Sequence, residues 1–432
     1  MQRLLSRDLF ADPDEHAGRP VAVAGWVHRR RALAQVTFVV LRDRAGLVQI
    51  VVKDPMGIAD VATYGEETPL AVRGTARVNP SAPGGVEIVD PVFEALGEVS
   101  QTPPVELWRP TLTAGLPIQL DHATVALRHP VRQARWRLAA ASLHGFRSTL
   151  DRLDFTEVHS PKLVASATES GANVFAVDYF GRPAFLAQSP QFYKQVLVGV
   201  FERVYEVGPV FRAEPHDTVR HLAEYVSLDV ELGFVRDHRD VVDVLRDTVA
   251  GMVSAIEEHA SSAVTSLGID LPTVPAAFPM LHFRDALTLV GAPHDEPDLA
   301  PAHERALGEW ALREHGSEFV VVEGYPTANR AFYSHPDPTD PHWSRSFDLI
   351  FRGVELVSGA QRLHRYDDYV RALTERGHDL EPYRAYLDAF RYGIPPHGGF
   401  AIGLERWVSG LAGVANVREV ALFPRDLHRL TP

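Results

Sequence analysis

The 432-residue sequence predicts an α+β protein in two parts: a small N-terminal β-barrel and a larger domain built on an antiparallel sheet flanked by helices. Three observations carry this expectation. Between about Val21 and Ile88, the short alternating runs VAVAGWV, VTFVVLRDR, GLVQIVV, PLAVRGTARV and GVEIVD are separated by Gly and Pro, as in a small closed barrel. Pro103, Pro104 and Pro110 then mark a connecting stretch. Beyond it, strand-like and helix-like segments alternate irregularly to the C-terminus. The expected domains are 1–100, a linker at 101–125, and 126–432. No internal repeat or low-complexity tract interrupts them, and the Pro-, His- and Ala-rich stretch 271–341 suggests no role.

In the barrel, the strand pattern matches an OB-fold, whose exposed face binds single-stranded nucleic acid by stacking and base-edge contacts. Phe38 on an exposed strand offers a ring for a base, and Gln49 offers an amide for a base edge. The opposing reading puts Phe38 in the barrel core, where Phe usually lies.

Composition narrows the class. The length is enough for two or more domains with a substantial core. With 45% hydrophobic and 23% charged residues, the chain reads as an ordinary globular protein. The absence of cysteine excludes disulfides and thiolate metal sites. No apolar run approaches the roughly 20 residues of a membrane span. The N-terminal MQRLLSRDLFADPDE carries acids and no long apolar core, so no signal peptide is expected and the cytoplasm is the expected compartment. A net charge of -13 argues against a tight, non-specific nucleic-acid binder. The charge is uneven, however: Arg29, Arg30, Arg31, Arg42 and Arg44 crowd one short segment, while acids dominate Asp237 to Asp247. Such a local basic stripe is enough to track a phosphate backbone transiently.

The segment FRAEPHDTVRHLAEYVSLDVELGF, from Phe211 to Phe234, holds the densest chemistry. Alternation in its second half argues for two antiparallel strands joined by a polar loop. Arg212 can fork onto a phosphate or carboxylate, and Glu214 can accept from an amino group. Near the C-terminus, HGGFAIGLERWVSGLAG places two glycines, which allow close backbone approach, before a helix-like run that starts at FAIG and contains Arg406. An arginine in so apolar a setting wants an anion or a ring face.

Together these two segments resemble motifs 2 and 3 of the class II aminoacyl-tRNA synthetases. A helical stretch from about Val131 to Leu153, followed by DFTEVHSPKL with Pro161, resembles motif 1. The resemblance spans essentially the whole chain. It is strongest to aspartyl-tRNA synthetases of the shorter, archaeal-like type of subclass IIb, down to the terminal FPRDLHRLTP.

That resemblance implies an OB-fold anticodon-binding domain, a class II catalytic domain, and a homodimer joined through motif 1 with Pro161 at the interface. It implies a ligase that adenylates L-aspartate with ATP and Mg²⁺ and transfers it to tRNA(Asp). Neither step needs an enzyme nucleophile, so catalysis is positioning and electrostatic stabilisation. Arg212 and Arg406 are the expected catalytic groups. ATP would be held by Arg212, Glu214, Arg220, His221, Leu222, Phe234 (stacked under adenine), Glu355, Gly403, Leu404, Glu405 and Arg406. Asp348, Glu355 and Ser358 are the expected metal ligands, hard oxygens that suit Mg²⁺; the same VELVSG run also reads as an edge strand with solvated acids.

For the amino acid, the resemblance puts Lys194 and Arg362 around the substrate side chain. Two cations favour a carboxylate, and an amide would leave both unpaired. Glu169 and Gln191 would hold the α-amino group, with Arg212 and Ser358 completing the aspartate site. For the tRNA, the family's Phe and Gln for the central anticodon uridine map onto Phe38 and Gln49, with His28, Arg30, Arg42 and Pro83 nearby. His28 stands where enzymes restricted to tRNA(Asp) carry Trp, and the loop VNPSAPGG lacks their lysine. This departure predicts that tRNA(Asn) is charged too, making Asp-tRNA(Asn) for a separate amidotransferase.

Three other readings are weaker. An asparaginyl-tRNA synthetase would lack the lysine at Lys194. A dead paralogue would have lost Arg212, Glu355 or Arg406. A tRNA-independent asparagine synthetase leaves the barrel unexplained.

Overall fold

A computed structural model describes residues 2–165, 174–215 and 217–431. The chain divides into two compact units, Met1–Pro130 and Val131–Pro432. The break thus falls some residues after the expected linker, because the 101–130 stretch buries Val105, Leu107 and Ala126 in a small apolar cluster of its own.

In the first unit, β1 (Pro20–Ala32), β2 (Thr37–Arg42), β3 (Leu47–Val52), β4 (Pro69–Val78) and β5 (Val86–Ala95) close a barrel in the order β1-β2-β3-β5-β4. Helix α1 (Pro55–Val61) connects β3 to β4. Period-2 alternation sends Val39, Leu41, Val48, Ile50 and Ile88 into the core. The same alternation turns Phe38 and Gln49 outward, where both are half-buried, so the core placement of Phe38 is excluded. Arg31 lies 5.0 Å from the Phe38 ring, and Gln49 donates to Glu87 at 3.0 Å.

Three further barrel residues are committed elsewhere. Arg42 is buried and forks onto Glu67 with two 2.8 Å bonds. His28 is buried 3.4 Å from Arg42, and burial, with that guanidinium beside it, pulls the imidazole down to about 4. Neither side chain is displayed for a base, which corrects the expectation for both. Arg30 donates to the Val61 carbonyl at 2.7 Å and to that of Ala62, capping the end of α1. Pro83 is exposed on a tight turn, next to Gly84 at φ +66.

The second unit is built on an eight-stranded sheet. Its strands are β6 (Thr156–Glu157), β10 (Arg203–Phe211), β11 (Glu224–Gly233), β12 (Met280–His282), β13 (Phe319–Glu323), β14 (Ser346–Phe351), β15 (Val354–Gln361) and β16 (His397–Gly403). A separate small sheet holds β7 (Leu163–Val164), β8 (Ala176–Tyr179) and β9 (Arg182–Leu186). The large sheet runs β12-β13-β14-β15-β16-β11-β10-β6, antiparallel except for β12·β13 and β10·β6. Two strands at one side of it, the edge strand β12 and its neighbour β13, come from 271–341, the stretch that had suggested no role. The principal helices are α2 (Pro130–Arg152), α3 (Gln191–Phe201), α4 (His238–His259), α5 (Pro301–His315) and α6 (Leu404–Ala412).

One face of the sheet packs on α2, α4 and α6 through Leu138, Phe146, Leu228, Val249, Phe400 and Trp407. Trp407 is fully buried and donates its indole N–H to Ser142 Oγ at 2.9 Å. The helix expected to start at FAIG begins only at Leu404. Phe400 to Gly403 continue the strand instead, because pairing on both sides by β11 and β15 outweighs local helical tendency.

Candidate active site

The opposite face of the sheet carries the chemistry, and period 2 explains how. On β11, Leu228, Val230 and Leu232 point into the core, so Tyr225, Ser227, Asp229 and Glu231 share the other face. A cavity of about 300 Å³ opens there, bordered by Arg212, Glu214, Arg220, His221, Leu222, Tyr225, Ser227, Glu355, Ser358, Gly403, Glu405 and Arg406. The two segments singled out in the sequence therefore meet at one site. Arg212 Nη1 stands 3.9 Å from Glu214 Oε1 and its guanidinium 5.9 Å from the Tyr225 ring. Arg406 donates to the Glu355 carbonyl at 3.0 Å.

The loop between β10 and β11 is held by the C-terminal segment. Arg418 donates to Asp217 and to the Thr218 carbonyl, both at 3.0 Å, and is anchored by Asp426 at 2.5 Å. Ala223 N–H donates to the Arg425 carbonyl at 2.7 Å. His221 Nδ1 lies 2.6 Å from Thr218 Oγ1.

Two expectations for this cavity are corrected. Phe234 lies beyond the far end of β11, 69% exposed and at φ +58, and does not border the cavity. Its even position puts it off the Tyr225–Ser227 face, and nine residues of strand span about 30 Å. Tyr225 is the ring that the cavity offers. Leu404 is 1% exposed with its side chain in the core, so only its backbone is left to serve a ligand.

Beside the cavity lies a buried ionic cluster. Lys194 Nζ is 3.0 Å from Asp229 and 3.3 Å from Glu231. Arg362 donates to Glu231 at 3.1 Å, to Gln191 Oε1 at 3.3 Å and to the Gly399 carbonyl at 3.1 Å. Ser227 Oγ donates to Asp229 at 2.6 Å. Burial alone would push the Glu231 carboxyl up, but the Arg362 and Lys194 cations beside it hold it below the usual carboxylate range. Only glycine fits at 399, since a Cβ there would sit 2.2 Å from Glu231 Oε2.

The two cations thus carry two internal counter-ions. An amide ligand would not leave them unpaired, as the sequence argument supposed. Gln191 has its oxygen engaged by Arg362 and its buried Nε2 without a partner among the described residues, so what it offers is a donor, suited to a carboxylate oxygen rather than an ammonium group. Glu169 lies outside the described residues.

Asp348 and Ser358 face each other across β14 and β15. Arg330 holds Asp348 at 2.6 Å and reaches Ser358 Oγ at 3.4 Å. Crowding by protein, then the negative charge of Asp348 with that of Glu304, pushes the Glu355 carboxyl up against the pull of Arg406, although its side chain is still 42% exposed. Two carboxylates repelling each other beside a hydroxyl fit a hard cation. Among the described residues no group of three or more His, Asp or Glu makes a metal cage alone, so an ion here would keep oxygens from water and phosphate.

Glu405 gives a prediction about stability. Its carboxylate, 7% exposed, accepts from Val226 N–H at 3.2 Å, and burial lifts it from an ordinary 4.5 to about 7. Between those values the native state holds a proton that the unfolded chain releases, so stability falls as pH rises through this window. Glu405→Gln removes that dependence. Denaturant midpoints should show the variant gaining on the parent from about pH 4.5 to 7 and then levelling, by a few kcal/mol. A difference independent of pH would contradict the assignment.

Tyr225, Arg330, Glu304 and Arg418 were missed by sequence reading. Strict alternation in EYVSLDVELG would have found Tyr225. The other three reach the site only through tertiary contacts and leave no local signal.

The geometry agrees with comparisons to known proteins. Residues 116–427 match the family of class II tRNA synthetases (D, K and N), and residues 21–96 match the OB-fold nucleic acid binding domain. An aspartate–tRNA(Asp/Asn) ligase of Thermus thermophilus is 43% identical, with 100% of both chains covered. One from Deinococcus radiodurans is 40% identical, with 99% of each covered. The asparaginyl-tRNA synthetase of Pyrococcus horikoshii, solved with asparaginyl-adenylate, superposes with a TM-score of 0.93 at 31% identity over 100% of both chains. A cavity joining Arg212 to Arg406, a five-stranded barrel and this likeness lead to one conclusion: the chain belongs to the class II tRNA synthetases of the aspartate, lysine and asparagine group, with aspartate–tRNA(Asp/Asn) ligases among its full-length relatives.

Proposed function

We propose that this chain activates L-aspartate with ATP and transfers it to both tRNA(Asp) and tRNA(Asn). The observation that carries the choice of amino acid is the full-length likeness to an aspartate–tRNA(Asp/Asn) ligase, and Lys194, buried with Arg362 around Glu231 beside the cavity, fits it as a cation able to receive a carboxylate. The names of the relatives from Thermus and Deinococcus support aspartate and both tRNAs. The asparaginyl likeness is one of fold, at lower identity.

Arg212 receives the α-phosphate and the substrate carboxylate in one fork, so the attacking oxygen is held next to the phosphorus. Tyr225 and Arg406 sandwich adenine, and Glu214 accepts from its amino group. Arg220 and His221 take the departing pyrophosphate. Asp348, Glu355 and Ser358 would hold Mg²⁺, which when bound neutralises charge on phosphate oxygens. Lys194, Arg362 and the free donor of Gln191 take the carboxylates of aspartate. The ribose hydroxyl of the tRNA then attacks the carbonyl of the aspartyl-adenylate, forming the ester as the acyl–phosphate bond breaks and AMP leaves.

In the barrel, Phe38 supplies the stacking ring and Gln49, oriented by Glu87, the base edge. Since His28 is buried, relaxed reading of the third anticodon base rests on the exposed Pro83 turn, whose loop VNPSAPGG carries no lysine. The proposal extends to a cytoplasmic homodimer through α2 and Pro161 and to hand-off of Asp-tRNA(Asn) to an amidotransferase. Among the described residues no helix is long and apolar enough to cross a membrane.

The deciding experiment is aminoacylation of separate pure tRNA(Asp) and tRNA(Asn). Comparable charging of both with aspartate is expected. A rate on tRNA(Asn) lower by about a hundredfold, close to 2.7 kcal/mol, would reject dual specificity. Phe38→Ala should raise the KM for tRNA by about tenfold, the scale of one lost base stack, with ATP–pyrophosphate exchange unchanged. An unchanged tRNA KM would remove Phe38 from the interface.

A further inference from the structure

We infer that Glu304, from the 271–341 stretch, is a positioning residue for ATP: its carboxylate fixes Arg220 and the start of β15 in one arrangement. The inference rests on the functional reading above. Helix α5 turns Glu304, Leu307 and Ala311 inward, and Glu304 occupies this buried stripe at 7% exposure. A carboxylate on a core-facing stripe is costly unless it is fully used. Here a single oxygen, Oε2, accepts from Glu355 N–H at 2.9 Å and from Arg220 Nη1 at 3.3 Å. Arg220 from the β10–β11 loop and Glu355 from the start of β15 both border the cavity, and Glu304 ties them together.

The helix is held in place by close packing. A Cβ on Gly308 would come within 2.7 Å of Gly353 N, so α5 lies directly on the β14–β15 turn. The simplest competing reading is an acid placed in the first turn of α5 to suit the helix dipole. That role needs only solvent-facing charge, whereas this carboxylate is buried and spent on two other elements.

Arg220 carries a long, flexible side chain, and an ion pair at its tip restricts its rotamers. The charge-assisted bond from Glu304 would hold it ready for the distal phosphates, and the same oxygen would fix the backbone at Glu355. ATP and pyrophosphate should feel its loss; aspartate should not.

The test is aspartate-dependent ATP–pyrophosphate exchange on Glu304→Ala, Glu304→Gln, Arg220→Ala and the double alanine variant. Glu304→Ala should raise the KM for ATP and for pyrophosphate about tenfold, with the aspartate KM within about twofold. The Gln variant keeps an acceptor for Glu355 N–H and loses the charge on Arg220, so it should fall between. Adding Glu304→Gln to Arg220→Ala should cost nothing further, and the double alanine variant should lose only the Glu355 share, less than the product of the two single penalties. Penalties that multiply, or an aspartate KM that rises in step with that of ATP, would overturn the inference. If the unaltered protein showed no aspartate-dependent exchange, the functional reading would fall first.

Discussion

Lys194→Leu is expected to lower kcat/KM for aspartate in ATP–pyrophosphate exchange by about 10³-fold, the scale of an uncompensated buried charge. The lysine is 2% exposed and bonded to Asp229 and Glu231, so its loss leaves a buried cluster with one cation and two anions. Aspartate would add a third negative charge to that hollow, and Coulomb repulsion in a poorly solvated site should exclude it. The same imbalance should cost about 3–5 kcal/mol of stability.

The two effects can be separated. Adding Asp229→Asn to Lys194→Leu removes one orphaned charge and should restore much of the denaturation midpoint. It should not restore aspartate activation, because the cation that receives the side chain is still missing. Aspartate kinetics within about threefold of the parent in the single variant would end the specificity assignment.

Arg212→Ala is the second large effect. The guanidinium borders the cavity, and its backbone is fixed by Arg212 N–H donating to the Ala223 carbonyl at 2.9 Å. Removing a preorganised donor from developing charge costs about 10²–10³ in kcat. The loss should fall on exchange and leave the unfolding midpoint near the parent's, as the side chain is 38% exposed. Arg212→Lys should recover little, since an ammonium group cannot fork onto phosphate and carboxylate together. Exchange within about tenfold of the parent would show that another group carries the α-phosphate.

Particular residues show what was legible in the sequence. The barrel strands, the β10–β11 hairpin and the long helix after Pro130 were readable because each announces itself by local periodicity or by Pro and Gly punctuation. Arg212, Glu214 and Arg406 were readable as charged groups in segments whose neighbours are apolar or turn-forming. Phe234 misled because aromatic identity was weighed above strand parity. FAIG misled because it reads as helix until β11 and β15 pair on either side of it.

The sequence by itself settled the two-part α+β architecture, the barrel strands and the inventory of charged groups, because these depend on interactions between near neighbours in the chain. Tertiary structure alone decided which charges meet. It buried His28 and Arg42 with Glu67, gave Lys194 and Arg362 their counter-ions, and brought Glu304 and Arg330 against residues of the cavity from the stretch that had suggested no role. The physical reason is that burial and ion pairing are properties of a closed three-dimensional environment. A carboxylate and a guanidinium more than eighty residues apart, such as Glu304 and Arg220, carry no mark of each other until the fold has removed the water between them.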